Sequence, residues 1–327
     1  MLRLEANMSS RLHLVVLELT GRCNLSCSYC YRRNDPSFDM FDTSLLLDQL
    51  SEINPYFINI SGGEPLLFDD LFNLAKELKK NCKKLLLTTN GLMIRNFPKQ
   101  NYKIFNNIQM SLDGDKTLHE RIRGRDTYEQ IIEAAKYLNG ITHVSFLCTI
   151  SSENCSHIGE FARKTQESGV LPKIGRMCGF GHSSFSPISD PYSWMLILEK
   201  TAQHGIINDD PLNFWFDEKK KSSTNPNKIV GGCTAGIAGV AISPELDVYP
   251  CVKLRIPAGN LKEQSLKDIW LNSPLFASLR DWHNLKGHCP SCEYVSICRG
   301  CRADAWARTG DYLAPDPLCW LNGRGEE

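Results

Sequence analysis

The sequence predicts an α/β protein whose larger part is a partial (β/α)6 TIM-like barrel and whose C-terminal part is a smaller cysteine-rich domain. Three observations support this prediction. Strand-like and helix-like segments alternate from residue 13 to residue 177, as they do in parallel α/β folds. Glycine and polar motifs follow several of the strands, at the end where parallel barrels carry their functional groups. Seven of the 14 cysteines lie between residues 233 and 319, where regular elements are sparse.

Each strand of the barrel is predicted from a short apolar run that ends in turn residues. The strands are expected at residues 13–19, 57–60, 84–89, 104–112, 144–150 and 171–177. Helices with one apolar face are expected at 43–53, where Thr43 can act as the cap, at 69 or 70 to 80, at 127–138 and at 154–168. Six such units are too few to close an eight-stranded barrel, so the sheet is expected to stay open.

The alternation is expected to end near residue 190. Residues 209–228 indicate a linker because they are rich in turn residues and charges, and one good helix follows at 265–271. The rest of this region is too poor in regular structure to be held together by burial alone, so bound metal would supply the missing constraint. The expected domains are residues 1–225 for the barrel and 226–322 for the cysteine-rich domain, with 323–327 as a tail.

The composition excludes several classes of function. Lys+Arg and Asp+Glu are equal in number, so the formal net charge of zero does not favour a nucleic acid or a membrane surface as partner. The run at residues 219–221 indicates only a solvated surface. No apolar stretch is long enough to span a bilayer, and no signal peptide is evident, so the protein is expected to be cytoplasmic. In a reducing compartment its cysteines are expected to bind metal rather than form disulfides.

Three cysteines lie close together in the loop after the first strand, as Cys23-x3-Cys27-x2-Cys30. Three thiolates can hold three irons of a [4Fe–4S] cluster and leave the fourth iron without a protein ligand, free to bind a small molecule. A zinc site is the alternative, but the nearby sequence lacks a fourth ligand at zinc spacing.

This motif resembles that of the radical S-adenosylmethionine (SAM) superfamily. Tyr29, the residue before the last cysteine, is aromatic as the family prefers, and residues 61–65 (SGGEP) resemble the family's GGEP motif. The resemblance implies that Gly62, Gly63 and Glu64 hold the amino group of SAM, with Glu64 as acceptor for the ammonium. The family's chemistry is reductive cleavage of SAM to methionine and a 5′-deoxyadenosyl radical, which takes a hydrogen atom from the substrate.

A second segment extends the resemblance. Residues 111–114 (SLDG), at the end of the fourth strand, resemble the family's segment that meets the SAM ribose and carboxylate, which implies contacts from Ser111 and Asp113. Arg121 and Arg123 follow at a spacing common in related enzymes. Arg123 is the candidate to pair with the SAM carboxylate, and a solvated surface arginine is the alternative.

The C-terminal cysteines resemble the SPASM extension of radical SAM enzymes, which binds two auxiliary [4Fe–4S] clusters. Two CxxC pairs alone could form a zinc ribbon, but seven cysteines exceed what a ribbon uses. The resemblance implies an outer cluster and an inner cluster whose ligands interleave: Cys289, Cys292, Cys298 and Cys319 for the outer, and Cys233, Cys251 and Cys301 for the inner. The chain departs from the family pattern in having two residues rather than three between Cys298 and Cys301. It also has Leu246 where a glycine is common.

The ligand count leaves the inner cluster one cysteine short, so one of its irons is expected to lack a SPASM-motif ligand. Cys178 follows the sixth strand and should face the active cavity. It could close this position, could donate a hydrogen atom as in radical epimerases, or could be structural. Cys82, Cys148 and Cys155 are expected to be structural, and His283 and His288 show no metal-binding spacing.

The resemblance implies an oxidoreductase-type enzyme with SAM and three [4Fe–4S] clusters, reduced by a donor such as flavodoxin or ferredoxin. Most characterised SPASM enzymes modify peptides or proteins by crosslinking, oxidation or epimerisation, so a peptide substrate is favoured. The first strand begins near residue 13, which leaves peptide recognition to a separate leader-binding protein. One alternative is a dehydrogenase or epimerase of a small molecule (a sugar, nucleoside or tetrapyrrole), and a non-enzymatic alternative is a zinc-stabilised binding protein.

Overall fold

The structure is a computed structural model, and it describes residues 11–32, 42–179, 186–216 and 232–322. The predicted boundary between the two domains at 225 and 226, the lysine run at 219–221 and the tail at 323–327 lie outside these ranges. The domain boundary therefore stays a prediction. Strands and helices are numbered in chain order over the described residues.

The ten described strands form one sheet in the order β10-β9-β8-β1-β2-β3-β4-β5-β6-β7. All strands from β8 to β7 in this order run parallel, whereas β9 and β10 are antiparallel additions at one edge. Their bounds are β1 Leu14–Glu18, β2 Phe57–Ser61, β3 Lys84–Thr89, β4 Asn107–Ser111, β5 His143–Ile150, β6 Leu171–Arg176, β7 Ile207–Asn208, β8 Gly239–Ile242, β9 Asp247–Tyr249 and β10 Gly259–Asn260. The six predicted strands are all present, and the open parallel barrel is confirmed.

Nine α-helices lie in the described residues, and those of the barrel cover the sheet with an apolar face. Their bounds are α1 Thr43–Ile53, α2 Leu71–Lys80, α3 Lys116–Arg123, α4 Thr127–Leu138, α5 Ile158–Glu167, α6 Pro191–Gln203, α7 Leu266–Asn272, α8 Pro274–Arg280 and α9 Arg302–Thr309. Asp42, and not Thr43, caps α1, because its carboxylate accepts a hydrogen bond from the Leu45 N–H at 3.0 Å.

Three predictions about local structure are wrong. Residues 99–104 form a 3-10 helix, so β4 begins only at Asn107. The alternation continues past residue 190 with α6 and the short strand β7. The C-terminal region contains three helices rather than one, and the third, α9, begins directly after Cys301.

The strand order places the cysteine-rich region against the barrel. Strand β8, which belongs to this region, pairs with β1 in parallel and in the register Leu14 to Gly239. One hydrophobic core runs from the barrel strands into α7 and α8. Residues of the C-terminal region also lie at the carboxyl ends of the barrel strands, where the first three cysteines and the glycine motif are found. No helix in the described part of the chain is both long enough and apolar enough to cross a bilayer.

Candidate active site

The loop that carries the first three cysteines is held by backbone contacts with the glycine motif after β2. The Gly63 N–H donates to the Thr20 carbonyl at 2.7 Å, and the Glu64 N–H donates to the Arg22 carbonyl at 2.8 Å. A Cβ on Gly63 would lie 2.1 Å from the Arg22 carbonyl oxygen, which is impossible without moving backbone. This glycine is therefore required for the cysteine loop to lie against β2.

Glu64 is fully buried behind the cavity rather than in its wall. Its carboxylate accepts hydrogen bonds from the Thr89 hydroxyl at 2.6 Å, the Asn90 N–H at 2.8 Å and the Leu66 N–H at 3.1 Å. Burial raises the pKa of Glu64, and these donors act in the opposite direction. Glu64 thereby fixes the turn after β3, and its role as acceptor for the SAM ammonium stays a prediction.

The turn after β3 contributes Asn90, a residue that was not among those predicted from the sequence. The Asn90 side chain donates to the Asn24 side chain at 2.7 Å, within the loop between Cys23 and Cys27. Asn90 thus holds the cysteine loop from the β3 side, as Gly63 does from the β2 side. The sequence signal that could have identified Asn90 is its position directly after a predicted strand and before Gly91.

Asp113, Tyr29 and Arg123 form one buried network. Asp113 is fully buried and accepts from the Arg123 Nε and from the Tyr29 hydroxyl, both at 2.6 Å. Arg123 also bonds the Tyr29 hydroxyl, and its Nη1 lies 3.7 Å from the Cys27 Sγ. The carboxylate of Asp113 raises the pKa of Arg123 well above its usual value although burial opposes this, so the guanidinium stays charged. Arg123 therefore lies in the cavity wall with Asp113 behind it, and the contacts of both residues with SAM stay predictions.

His119, in α3, fixes the backbone of Asp113. Its Nδ1 accepts a hydrogen bond from the Asp113 N–H at 3.1 Å, and the ring is fully buried. Burial lowers the pKa of His119 to about 4, so the ring is neutral near pH 7. This residue was not predicted from the sequence, because α3 was not predicted either.

An open cavity lies at the carboxyl ends of the strands, with about 1280 Å³ of empty space that includes solvent at its mouth, and half of the predicted site residues line it. Of those residues, the lining contains Cys23, Cys27, Cys30, Tyr29, Gly62, Gly63, Ser111, Arg123 and Cys178. On the far wall, Lys253 of the C-terminal region reaches β6, where its ammonium donates to the Arg176 carbonyl at 2.6 Å. The segment after β9 thereby covers the open side of the barrel.

The four predicted outer-cluster cysteines come together around a second cavity. Cys289, Cys292, Cys298 and Cys319 all line this space of about 450 Å³. The loop from Cys298 to Cys301 passes through two consecutive left-handed residues, at φ 58° and 59°. The second is Gly300, where a Cβ would lie 2.7 Å from that of Asp316. This sharp turn sends Cys298 and Cys301 to different groups, as the interleaved pattern predicts.

Of the predicted inner-cluster cysteines Cys233, Cys251 and Cys301, the structure places Cys301 next to Cys178 of the barrel. The interaction between these two neighbouring thiols raises the pKa of Cys178 and lowers that of Cys301. Burial raises the pKa of Cys251 to about 11, and the nearby Cys233 and Cys301 act in the same direction. The structure therefore brings a barrel cysteine to the inner group.

Two buried ion-pair networks join the barrel to the C-terminal region, and neither was predicted from the sequence. Glu18, fully buried at the end of β1, pairs with Arg32 at 2.8 Å and with Arg255 at 2.5 Å. Arg176, the last residue of β6, pairs with Asp210 and with Asp316, each at 2.7 Å. A charged residue at the carboxyl end of a predicted strand was the available signal in both cases.

The donor set fits iron–sulfur clusters. All ten cysteines of the two motifs are partly exposed, whereas Cys82 and Cys148 are buried in the core. Three of the ten line the large cavity and four line the smaller one. Within the described residues, no three His, Cys, Asp or Glu side chains converge on a single point as the ligands of one zinc ion would. Seven of the ten thiols thus surround two spaces, an arrangement that suits a cluster in each.

Comparison with known proteins agrees with this geometry. The model of the radical SAM superfamily matches residues 17–164, and the model of the SPASM iron–sulfur cluster-binding domain matches residues 233–302. The chain is 26% identical to an AdoMet-dependent heme synthase of Methanosarcina barkeri, covering 95% of this chain and 97% of that protein. It is 25% identical to the mycofactocin maturase MftC of Mycolicibacterium smegmatis, covering 92% and 81%.

Solved structures share the fold. Streptococcus suis SuiB bound to S-adenosylmethionine has a TM-score of 0.73 at 19% identity, covering 95% of this chain and 78% of SuiB. The structure of anSMEcpe with bound AdoMet and the Cp18Cys peptide has a TM-score of 0.68 at 21% identity and covers 94% of both chains. The cysteine loop, the glycine motif and both family models agree, and the chain therefore belongs to the radical SAM superfamily and carries a C-terminal SPASM iron–sulfur domain.

Proposed function

We propose that this radical SAM enzyme takes a hydrogen atom from a substrate held in the large cavity, between the cysteine loop and the segment after β9. The observation that carries the proposal is that the cavity brings Cys23, Cys27 and Cys30 together with Gly62, Ser111 and Arg123. With SAM and a cluster bound there, one electron from a donor such as flavodoxin or ferredoxin would split SAM into methionine and a 5′-deoxyadenosyl radical. The protein's part is to hold SAM and the substrate against each other.

In this proposal Arg123 binds the SAM carboxylate. The guanidinium lies at the cavity wall, is fixed by Asp113 and Tyr29, and reaches to 3.7 Å from the Cys27 Sγ. Ser111 lines the cavity beside it, at the end of β4. A pre-positioned cation next to the cluster loop suits the carboxylate of a ligand that chelates iron.

Among substrates, we favour a tetrapyrrole. The heme synthase of M. barkeri aligns over nearly the whole of both chains. Among the lining residues that the structure describes, none is an Asp or Glu, whereas Arg123, Arg176 and Lys253 are cations. Such a cavity suits an anionic substrate.

A peptide is the second candidate. It is supported by the likeness to the maturase MftC and by the shared fold with SuiB, which has been solved with its precursor peptide SuiA. A separate leader-binding protein would accompany this candidate.

The test of the chemistry is a triple variant in which Cys23, Cys27 and Cys30 are replaced by Ala. We expect the anaerobic enzyme, reduced with dithionite, to lose 5′-deoxyadenosine formation from SAM. It should keep about two-thirds of its iron, because two of three clusters have ligands elsewhere. Cys155→Ala is the matched control, since Cys155 is partly exposed but outside both motifs. Production of 5′-deoxyadenosine by the triple variant would refute this SAM site.

We further propose two auxiliary clusters, with Cys178 as the fourth ligand of the inner one. Its proximity to Cys301 supports this, because two neighbouring thiols from different regions of the chain are where two ligands of one cluster would converge. The expected iron content is then about twelve per chain. With Cys178 as ligand, the iron for which the SPASM motif supplies no cysteine is fully coordinated, and the inner cluster then serves as an electron relay.

Replacement of Cys178 by Ala tests this ligand assignment. We expect an altered EPR signal of an auxiliary cluster, with the SAM-dependent signal kept, because one iron loses its thiolate. Cys148→Ala is the control, since Cys148 on β5 is also buried but its sulfur accepts from the side chain of Asn154. An unchanged auxiliary signal in Cys178→Ala would return the inner cluster to the open-site form, in which substrate could bind the iron directly.

A further inference from the structure

Lys253 is a cation of the active cavity that pairs with no Asp or Glu side chain among the described residues, although the thiols of Cys178, Cys301 and Cys251 lie near enough to raise its pKa. Its ammonium donates to one backbone carbonyl, that of Arg176, at 2.6 Å. The side chain is half-buried, and the part that remains exposed lines the cavity.

Each of the other two cations of the cavity already has a buried carboxylate partner. Arg176 is held by two buried carboxylates, Asp210 and Asp316, and Arg123 is held by Asp113. A half-buried ammonium that donates to a backbone carbonyl and has no carboxylate partner carries a desolvation cost that an anionic ligand would help to offset. Among the three cations, Lys253 is therefore the one without a carboxylate partner in the described chain.

The location of Lys253 suits a substrate contact. It enters the cavity from the C-terminal region, at the end of β6, and its neighbours there include Met177 and Cys178. Arg123, the proposed partner of the SAM carboxylate, belongs to α3 and contacts the cysteine loop instead. Strand β6 is separated from β1 by the four strands β2 to β5. SAM and a second ligand could thus each have their own cation.

We propose that Lys253 binds a carboxylate of the substrate and so selects carboxylate-bearing substrates. The inference rests on the proposed function for the existence of a substrate in this cavity, and it adds the group that recognises it. The favoured source is an acidic side chain of a tetrapyrrole, and the other source is a carboxylate of a peptide.

The experiment is a set of equilibrium binding titrations on the cluster-loaded, anaerobic protein, with tryptophan fluorescence as the signal. Each probe is compared with its neutral derivative. One probe is a porphyrin with free propionate side chains, compared with its fully esterified form. The other is a short peptide with a free C-terminal carboxylate, compared with its C-terminal amide. We expect the wild-type protein to prefer the free acid of one pair by roughly 10- to 100-fold, the range of a hydrogen bond between charged groups. The pair that shows the preference identifies the source.

Lys253→Met should remove this preference, because the affinity for the free acid should fall to that for the ester or amide. Lys253→Arg should keep most of the preference. Lys267→Met, which removes an exposed lysine of the same region, should change nothing. Lys253→Gln serves as the second variant, and iron content and the absorbance spectrum show that each variant holds its clusters.

Two results would overturn the proposal: a Lys253→Met protein that still prefers the acid, or a wild-type protein that prefers neither acid. A loss of SAM affinity in Lys253→Met with unchanged substrate preference would also overturn it, since the lysine would then serve SAM. Formation of 5′-deoxyadenosine is measured separately, so that failure of the radical chemistry is distinguished from failure of this substrate contact.

Discussion

At the scale of single residues, the site depends on side chains that do not face the cavity. Asp113 is fully buried, yet it orients both Arg123 and Tyr29. His119 in turn holds the Asp113 backbone through an acceptor nitrogen that must be unprotonated. Protonation of His119 would therefore remove this hydrogen bond and disturb the network of Asp113, Arg123 and Tyr29.

The buried histidine gives a prediction for the pH dependence of stability. Because the pKa of His119 falls to about 4 on folding from an ordinary value of 6.5, the unfolded chain binds more protons between these values. The free energy of unfolding should be highest above about pH 6.5 and should decrease as the pH falls towards 4, by at most about 3 kcal/mol from this group. Urea unfolding followed by circular dichroism measures it.

Two variants isolate this effect. His119→Asn keeps an acceptor near the Nδ1 position without an imidazole, so the loss of stability between about pH 6.5 and pH 5 should become smaller. His204→Gln removes an exposed histidine and should leave the wild-type dependence. If His119→Asn shows the wild-type dependence, His119 does not titrate as its burial predicts.

At the scale of elements, the periodic segments of the barrel could be predicted from the sequence. The strand 84–89 and the helix 127–138 have the predicted bounds, because an apolar run or an amphipathic face determines each of them. Helix α3 was missed because its eight residues, KTLHERIR, are mostly polar and bury only Leu118, His119 and Ile122. Its stability comes from the Asp115 cap and from packing, which a sequence pattern does not reveal.

The connection between β8 and β9 explains the departure at Leu246. Leu246 has φ 71°, the left-handed conformation in which glycine is common, and this position is the one where the resemblance leads one to expect glycine. It is also 1% exposed, so the leucine side chain packs in the core. The leucine thus gains burial at the expense of backbone strain, which for a residue with a Cβ is about 1–2 kcal/mol.

Two substitutions separate these contributions. Leu246→Ala loses the packing and keeps the strain, whereas Leu246→Gly loses the packing and releases the strain. We expect the Gly variant to be more stable than the Ala variant by about 1 kcal/mol in denaturant unfolding. At Leu254, equally buried and without a positive φ, the order should reverse, because glycine in an ordinary conformation is less stable than alanine by roughly 0.5–1 kcal/mol. A Leu246→Gly protein less stable than Leu246→Ala would contradict this interpretation of the turn.

At the scale of the whole molecule, the sequence motifs identified the groups of cysteines but not how the two regions meet. Motifs are local in sequence, whereas the pairing of β8 with β1 and the contact of Cys178 with Cys301 join residues more than 100 positions apart. The same holds for Arg176, which pairs with Asp316 across 140 positions. Such contacts follow from the fold, and the spacing of residues in the sequence does not predict them.

Arg176 and Asp316 form a buried junction between the barrel and the C-terminal region. The Asp316 carboxylate accepts from the Arg176 Nη1 at 2.7 Å and from the Cys301 N–H at 2.7 Å, and it is 1% exposed. It therefore connects the end of β6 to a predicted inner-cluster ligand. Removal of Asp316 leaves Arg176 with Asp210 as a close carboxylate partner, so the loss should be smaller than the loss of about 3–5 kcal/mol for a buried charge left without any partner.

We therefore expect Asp316→Asn to lower the free energy of unfolding by about 1–3 kcal/mol, the cost of weakened hydrogen bonds at a buried charged group, measured by denaturant unfolding of the anaerobic protein. Asp209→Asn is the control, because Asp209 pairs with Lys173 at the same distance of 2.7 Å but is 75% exposed. Its removal should change stability by at most about 1 kcal/mol. Because Asp316 also holds the Cys301 backbone, the Asn variant should lose iron from the auxiliary clusters before it loses 5′-deoxyadenosine formation. Equal stability of the two variants, or loss of 5′-deoxyadenosine formation with full auxiliary iron, would show that the barrel does not depend on this junction in the way proposed.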